Sequence, residues 1–410
     1  MKNIKLFVFI LAFFPCLSLH ALDFGLLLDQ NGGISMPLGG ENPEDNEDSF
    51  EYSAALVPRF SSFVGENGSL FISASVKVKM EYDRVIVIPE LLRTDFTYSF
   101  SNGEFKIGRM GYQDPLGFIA VGLFDGVNVS FDAGNGSIGI GTWYTGFLYK
   151  ERANILTTYK DGDIHYYALD FSNLKDTYFA PPRVVAAIEY ENQGLFEKAQ
   201  LRAALIGQFD ISNEETKINS QYAAAKISVP VNSFVYDIGL AAEMVETKDE
   251  KKQDVIKPAM AGLLGASYMF SQSRLSLSGV YSSGVSDNDS YTAFVPLTIV
   301  YQGNVLNAYL SGLSYISLDY LGRLHKTFSL GLNASSFIRT DLGTYAYPYS
   351  SVNSKGYIVG TEFFGCLYWN PVSDIKLNFG AGVFLPQLGN VDPKAAALIR
   401  AELNLIITLY

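Results

Sequence analysis

Residues 70–80 read LFISASVKVKM. In a β-strand, successive side chains point to opposite faces. Leu70, Ile72, Ala74, Val76, Val78 and Met80 therefore share one face, and Phe71, Ser73, Ser75, Lys77 and Lys79 share the other. Strands of soluble proteins usually run to about five or six residues, whereas a tilted strand that crosses a bilayer needs about 9–11. A run this long, apolar towards one side and small or polar towards the other, suits a wall between lipid and a wet lumen.

The pattern recurs along the chain. Phe96, Tyr98 and Phe100 alternate with Asp95, Thr97 and Ser99. Ala199, Leu201, Ala203, Leu205 and Phe209 alternate with Lys198, Gln200, Arg202 and Gln208. Phe234, Tyr236, Ile238, Leu240 and Met244 alternate with Asp237, Gly239 and Glu243. Leu275, Leu277 and Tyr281, then Phe328, Leu330 and Leu332, then Ile375, Leu377 and Phe379 repeat it. Ser101-Asn102-Gly103 and Gly134-Asn135-Gly136 read as tight hairpin turns between such runs, and so do Asp161-Gly162-Asp163 and Gln302-Gly303-Asn304. Segments 31–49, 111–123, 172–182, 247–257 and 340–354 read as longer loops. The expectation is an all-β protein, a single antiparallel transmembrane β-barrel of roughly 16–20 strands. Alternation of short turns and long loops breaks down around 150–182 and 320–355, where the expected strand set misses or splits a strand.

Composition agrees with a barrel in a membrane. Charged residues make up 18% of the 410, aromatics 14%, and 37 are glycine; soluble proteins carry roughly 25% charged residues. The apolar stretch Pro258–Ser271 is shorter than the roughly 20 residues of a spanning helix. Residues 1–21 read as a secretory signal peptide: Lys2 and Lys5, an apolar run from Leu6 to Phe14, and a small residue, Ala21, at the cleavage point. Residues 22–410 then form the barrel. Removal of Lys2 and Lys5 takes the formal charge from −12 to −14, which argues against nucleic acid as a partner. Cys366 is the one cysteine beyond residue 21, which leaves no intrachain disulfide. The chain ends Ile-Ile-Thr-Leu-Tyr410, which resembles the terminal signal read by the outer-membrane barrel-assembly machinery. Outer-membrane lipid and that machinery are the expected partners, and a homo-oligomer is compatible with the pattern.

Residues 103–129 read GEFKIGRMGYQDPLGFIAVGLFDGVNV. This segment resembles one found in porin-type families, including the alginate-export and carbohydrate-selective porins. There a strand ends in a Gly-Arg pair, a loop follows, and the next strand opens with Phe-Asp-Gly-Val. The matching residues are Gly108, Arg109, Phe124, Asp125, Gly126 and Val127. The resemblance implies a Gram-negative outer-membrane porin-type barrel that passes small solutes by diffusion, without a cofactor.

Arg109 falls on the face of Phe105 and Ile107, and Asp125 on the face of Val127 and Val129, so both break the local alternation. They read either as an ion pair at the membrane rim or as the lining of a constriction. Lys77, Lys79, Arg93, Asp95, Lys198, Arg202, Asp237, Glu243, Glu362 and Lys376 occupy lumen-type positions, because a charge towards lipid costs about 2–4 kcal/mol at the midplane. An internal salt-bridge network is their expected arrangement. The loop 111–123 contains Pro115-Leu116-Gly117-Phe118-Ile119-Ala120-Val121, too apolar to lie in solvent. It should fold into the barrel mouth and narrow it. The strands expected before it are 23–30, 50–61, 68–80, 91–100 and 104–110.

His165 and His325 are the histidines beyond residue 21, and neither stands in a metal-ligand spacing. No catalytic or metal site is expected, and the chain is not read as an enzyme. Two other functions fit a barrel. A hydrophobic-solute transporter of the fatty-acid uptake kind would open with an Asn-Pro-Ala plug, but Leu22-Asp23-Phe24-Gly25 stands there. A closed barrel acting as a surface adhesin could use the acidic run Glu41, Glu44, Asp45, Glu47 and Asp48.

Overall fold

The computed structural model describes residues 19–39, 48–81, 84–196, 198–214, 217–248, 254–285, 293–341 and 356–409. Most of the expected signal segment, Glu41 to Glu47 of the acidic run, and Tyr410 lie outside the described residues. Among those described, eighteen strands form one antiparallel sheet. They are β1 (Leu19–Leu38), β2 (Ser49–Val64), β3 (Gly68–Glu81), β4 (Arg84–Phe100), β5 (Gly103–Gln113) and β6 (Val121–Ala133). Next come β7 (Gly136–Tyr144), β8 (Arg183–Leu195), β9 (Ala199–Asp210), β10 (Asn219–Val231), β11 (Phe234–Lys248) and β12 (Asp254–Phe270). The last six are β13 (Ser273–Ser282), β14 (Leu313–Arg323), β15 (Phe328–Arg339), β16 (Ile358–Val372), β17 (Ile375–Leu385) and β18 (Ala397–Leu409). Each strand pairs with the next, and β18 returns to β1 from Leu26↔Leu409 to Leu38↔Ala397. The sheet is thus a closed barrel, with no free edge left to aggregate.

The faces are those read from the sequence. Phe234, Tyr236, Ile238, Leu240 and Met244 are all exposed, Leu240 by 64%, while Glu243 between them is buried. Val76 and Met80 are exposed, and Ser73 and Ser75 are buried. Turns at 65–67, 101–102, 134–135, 232–233 and 271–272 mark one end of the barrel, and the longer connections lie at the other. On β17, Phe379 is 52% exposed, while Asn378 bonds Asn404 across the ladder at 3.2 Å. In a Cys366→Ser background, cysteines at 377 and 379 should therefore react with lipid-soluble reagents, and those at 376 and 378 with water-soluble ones. The opposite labelling would mean a register slip of one residue.

Several boundaries differ from the expectation. Residues 31–38 belong to β1, and 84–90 to β4, so the connection between β3 and β4 shrinks to 82–83. Beyond the apolar belt both faces of a strand meet water, and alternation no longer marks it. The loop expected at 111–123 narrows to 114–120, because Met110 to Gln113 stay paired with Val121 to Phe124. Segment 145–182 contains no missed strand. It carries three short helices, α1 (Lys150–Ala153), α2 (Tyr159–Tyr166) and α3 (Leu174–Thr177). Asp161-Gly162-Asp163 lies inside α2 and is not a hairpin turn. Around 320–339 the strands β14 and β15 are intact. The break in alternation comes earlier, from a long connection at 283–312. Gln302-Gly303-Asn304 sits within it, where Gln302 bridges Ala308.

The hydrophobic core lies inside the barrel. Leu116, Phe118, Ile119 and Ala120 of the loop 114–120 pack with Leu148, Ala153 and Ile155 of the loop 145–182 and with Phe294 and Leu297 of the loop 283–312. The wall beneath them carries lumen-facing Ala187, Ala204, Ile206, Ala224, Ala241 and Ala261. Small side chains there leave room for the loops. A second cluster joins Val305 and Leu306 to Phe337, Phe364 and Phe384. Where the loops pack, strands β8 to β13 thus carry apolar residues on both faces, one towards lipid and the other towards the loops.

Candidate functional site

Three inward loops cover one side of the lumen, and polar side chains keep the other. Each loop is held by charged groups that take backbone hydrogen bonds. Asp114 is fully buried and accepts from the amides of Leu116 (2.8 Å), Gly117 (2.9 Å), Ile119 (2.8 Å) and Ala120 (3.0 Å). One carboxylate closes the whole turn. Thr298 then joins it to the loop 283–312: its amide donates to Ile119 O at 3.2 Å, and its hydroxyl accepts from Val121 N at 2.8 Å.

The loop 145–182 is pinned to the wall by Arg183 at the start of β8. Its guanidinium meets Asp161 of α2 at 2.7 Å and Asp210 of β9 at 2.9 Å, and all three are buried. Thr158 and Asp161 form a capping box at the start of α2, which satisfies donors that the first helical turn leaves open. Lys150 of α1, also buried, donates from Nζ to Ile164 O at 2.9 Å and to Tyr167 O. The ammonium sits at the helix C-terminus, where a cation is favoured.

Of the expected lumen charges, some form ion pairs and others do not. Lys79 meets Glu151 at 3.3 Å, and Glu90 meets Arg152 at 2.8 Å, so β3 and β4 are tied to α1. Arg93 binds Asp95 two residues on, with its guanidinium 4.8 Å above the Phe71 ring. Lys226 meets Asp237 at 3.4 Å. Arg202 reaches a backbone carbonyl, Gln113 O, at 3.0 Å. Glu243 and Glu362 depart from the expected salt-bridge network. Glu243 accepts from Val295 N at 2.8 Å, and Glu362 accepts from the amides of Asn304 (2.8 Å), Val305 (3.1 Å) and Leu306 (3.2 Å). Both therefore hold the loop 283–312. Lys77 and Lys376 have no ion partner among the described residues. Lys198 lies in the turn before β9.

Arg109 and Asp125 face each other across β5 and β6 and form a two-pronged pair at 2.8 and 2.7 Å. Arg109 also donates to Phe147 O at 2.9 Å and to Leu91 O. By alternation the pair shares the face of exposed Ile107 and not that of buried Met110 and Phe124. It thus lies on the outer side of the wall and holds the first residues of the loop 145–182 against the rim. Gly108 makes this approach, with φ +120° and no room for a Cβ beside the Thr94 carbonyl.

A chamber of about 830 Å³ remains between β2–β4 and the loop 145–182. Glu51, Lys79, Arg84 and Ile86 line its wall, and Tyr149, Glu151, Asn154, His165, Tyr166 and Tyr167 line the loop side. Tyr301 of the loop 283–312 closes it. Burial holds the His165 pKa below its ordinary value, and the Lys150 and Lys79 cations add to this against the pull of Glu151. The sequence pointed to Lys79 alone of these residues. The signal for the rest was present but unread: apolar residues on both faces in Ala203-Ala204-Leu205-Ile206 and Ala223-Ala224-Ala225 require something to cover the inner face.

No family model matches the chain, and no curated protein matches it. Solved structures share its fold. OccK2 (OpdF) of Pseudomonas aeruginosa superposes with a TM-score of 0.61 at 12% identity, covering 95% of this chain and 98% of that one. The same organism's OpdK, solved with vanillate, gives 0.61 at 12% identity over 94% and 98%. Its outer membrane protein OprD gives 0.56 at 12% identity over 96% and 95%. The chain shares the closed-barrel fold of these outer-membrane structures.

Proposed function

We propose that the chain is an outer-membrane channel through which small polar solutes diffuse passively, after cleavage of a signal peptide near Ala21. The asymmetry of the lumen carries this reading. The wall of β8 to β13 is covered by loops, whereas β17, β18 and β3 present half-exposed Lys77, Asn378, Arg400 and Asn404 and exposed Lys376. Asn404 extends this polar wall to Asn31 at 2.6 Å and Asp29 at 3.0 Å. A barrel of about 16 to 18 strands encloses room for an aqueous path, and the inward loops narrow it. OpdK, solved with vanillate, supports small organic solutes as the cargo.

A hydrophobic-solute transporter would need an apolar route along the open wall, and that wall is polar. No catalytic role follows from His165, which lines the chamber without a nucleophile bonded to it among the described residues. Planar-bilayer recording of the refolded protein should show discrete ohmic steps. A silent barrel that still shows heat-modifiable gel mobility would favour the closed adhesin or structural reading.

A further inference from the structure

The chamber leaves aromatic rings uncovered inside the barrel. Tyr166 is 71% exposed, Tyr167 55% and Tyr301 41%, and all three line the chamber and not the lipid belt. The loop does not need them for its own packing, which Leu148, Tyr149 and Ile155 supply from buried positions. Wet apolar surface of this kind, gathered in one place, marks a binding site. The rings are also held in position. Tyr166 Oη lies 3.2 Å from Tyr309 Oη, and the Tyr309 ring is 5.7 Å from that of Tyr301. Lys150 ties down the backbone at Ile164 and Tyr167, on either side of Tyr166.

Charge in the chamber is balanced. Lys79 pairs with Glu151, and Arg84 and Glu51 add one charge of each sign. A net cation or anion meets both attraction and repulsion there, whereas a flat neutral ring with polar edges can stack on tyrosine and bond to groups of either kind. The volume lies within the range of about 300–1,000 Å³ typical of small-molecule sites. We propose that the chamber is a stacking site for neutral, flat-ringed solutes with polar edges, of the nucleoside kind, with Tyr166, Tyr167 and Tyr301 as its platform. This deepens the channel reading and rests on it for the solute's route.

Isothermal titration of the refolded full chain in detergent with uridine, beside bilayer recording of the same preparation, tests the site. Uridine should bind and briefly block the current, while glucose and benzoate bind at least about tenfold more weakly. Tyr167→Leu should weaken uridine binding about tenfold or more, the loss of one stacked base. Tyr166→Phe, which keeps the ring and loses only the contact to Tyr309, should weaken uridine binding less than Tyr167→Leu does. Should Tyr167→Leu fail to fold, Tyr301→Leu carries the same expectation. Uridine binding no better than glucose or benzoate, or indifferent to loss of the ring, overturns the proposal. A conducting barrel that ignores uridine sinks the stacking site alone, and uridine binding in a barrel that passes no current sinks the channel reading alone.

Discussion

Arg183→Ala should release the loop 145–182 from the barrel wall. The substitution leaves Asp161 and Asp210 buried, with the cation that bridges them gone. Removing one partner of a buried ion pair costs about 3–5 kcal/mol, more than a local loop contact can absorb. The eighteen-strand ladder does not depend on this group, so the barrel should still form and resist detergent. The loop should become open to protease at α2, and single-channel conductance should rise as α1 and α2 leave the lumen. Replacing the triad by neutral groups, Arg183→Met with Asp161→Asn and Asp210→Asn, should restore much of the protection, since the asparagine still caps α2 and no charge stays buried alone. Protease resistance in Arg183→Ala equal to that of the parent would show that the loop is held by its apolar contacts.

Asp114→Ala should open the lumen on the same side. The amides of Leu116, Ile119 and Ala120 lose the acceptor they donate to once this carboxylate is gone, while Gly117 N keeps the Asp114 backbone carbonyl at 3.2 Å, and each buried, unsatisfied group costs about 1–3 kcal/mol. The loop 114–120 cannot keep its shape against such a loss. Leu116, Phe118 and Ile119 would leave the core they share with Phe294, and the Thr298 contacts that tie this loop to 283–312 would go with them. Conductance should increase, and deletion of Leu116 to Val121 should act in the same direction. A folded variant with the parent's conductance would place the loop 114–120 outside the permeation path.

How much of this was legible in the sequence depends on the range of the interaction. Face assignment needs only neighbouring residues. Ile375, Leu377 and Phe379 face lipid, and Lys376 and Asn378 face the lumen, because a strand alternates whatever surrounds it. The inward turn of 114–120 was legible too, since Leu116 to Val121 have no apolar surface within reach except the inside of the barrel. Strand ends were read short because alternation fades once both faces are wet, as in 31–38.

Local patterning therefore determined the class, the faces and one inward loop. The tertiary structure alone decided the contents of the lumen. The loops 145–182 and 283–312 take their shape from Arg183 between Asp161 and Asp210, and from Glu243 and Glu362 on distant strands reaching backbone amides. Arg183 meets Asp210 across the neighbouring strand, whereas Glu243 and Glu362 reach the loop 283–312 from β11 and β16, strands far apart in the sequence that both border it once the sheet has curved round. A side chain's local sequence states its charge and the face it occupies. Which amide or carboxylate it will find across the lumen is a matter of distances that no stretch of sequence contains.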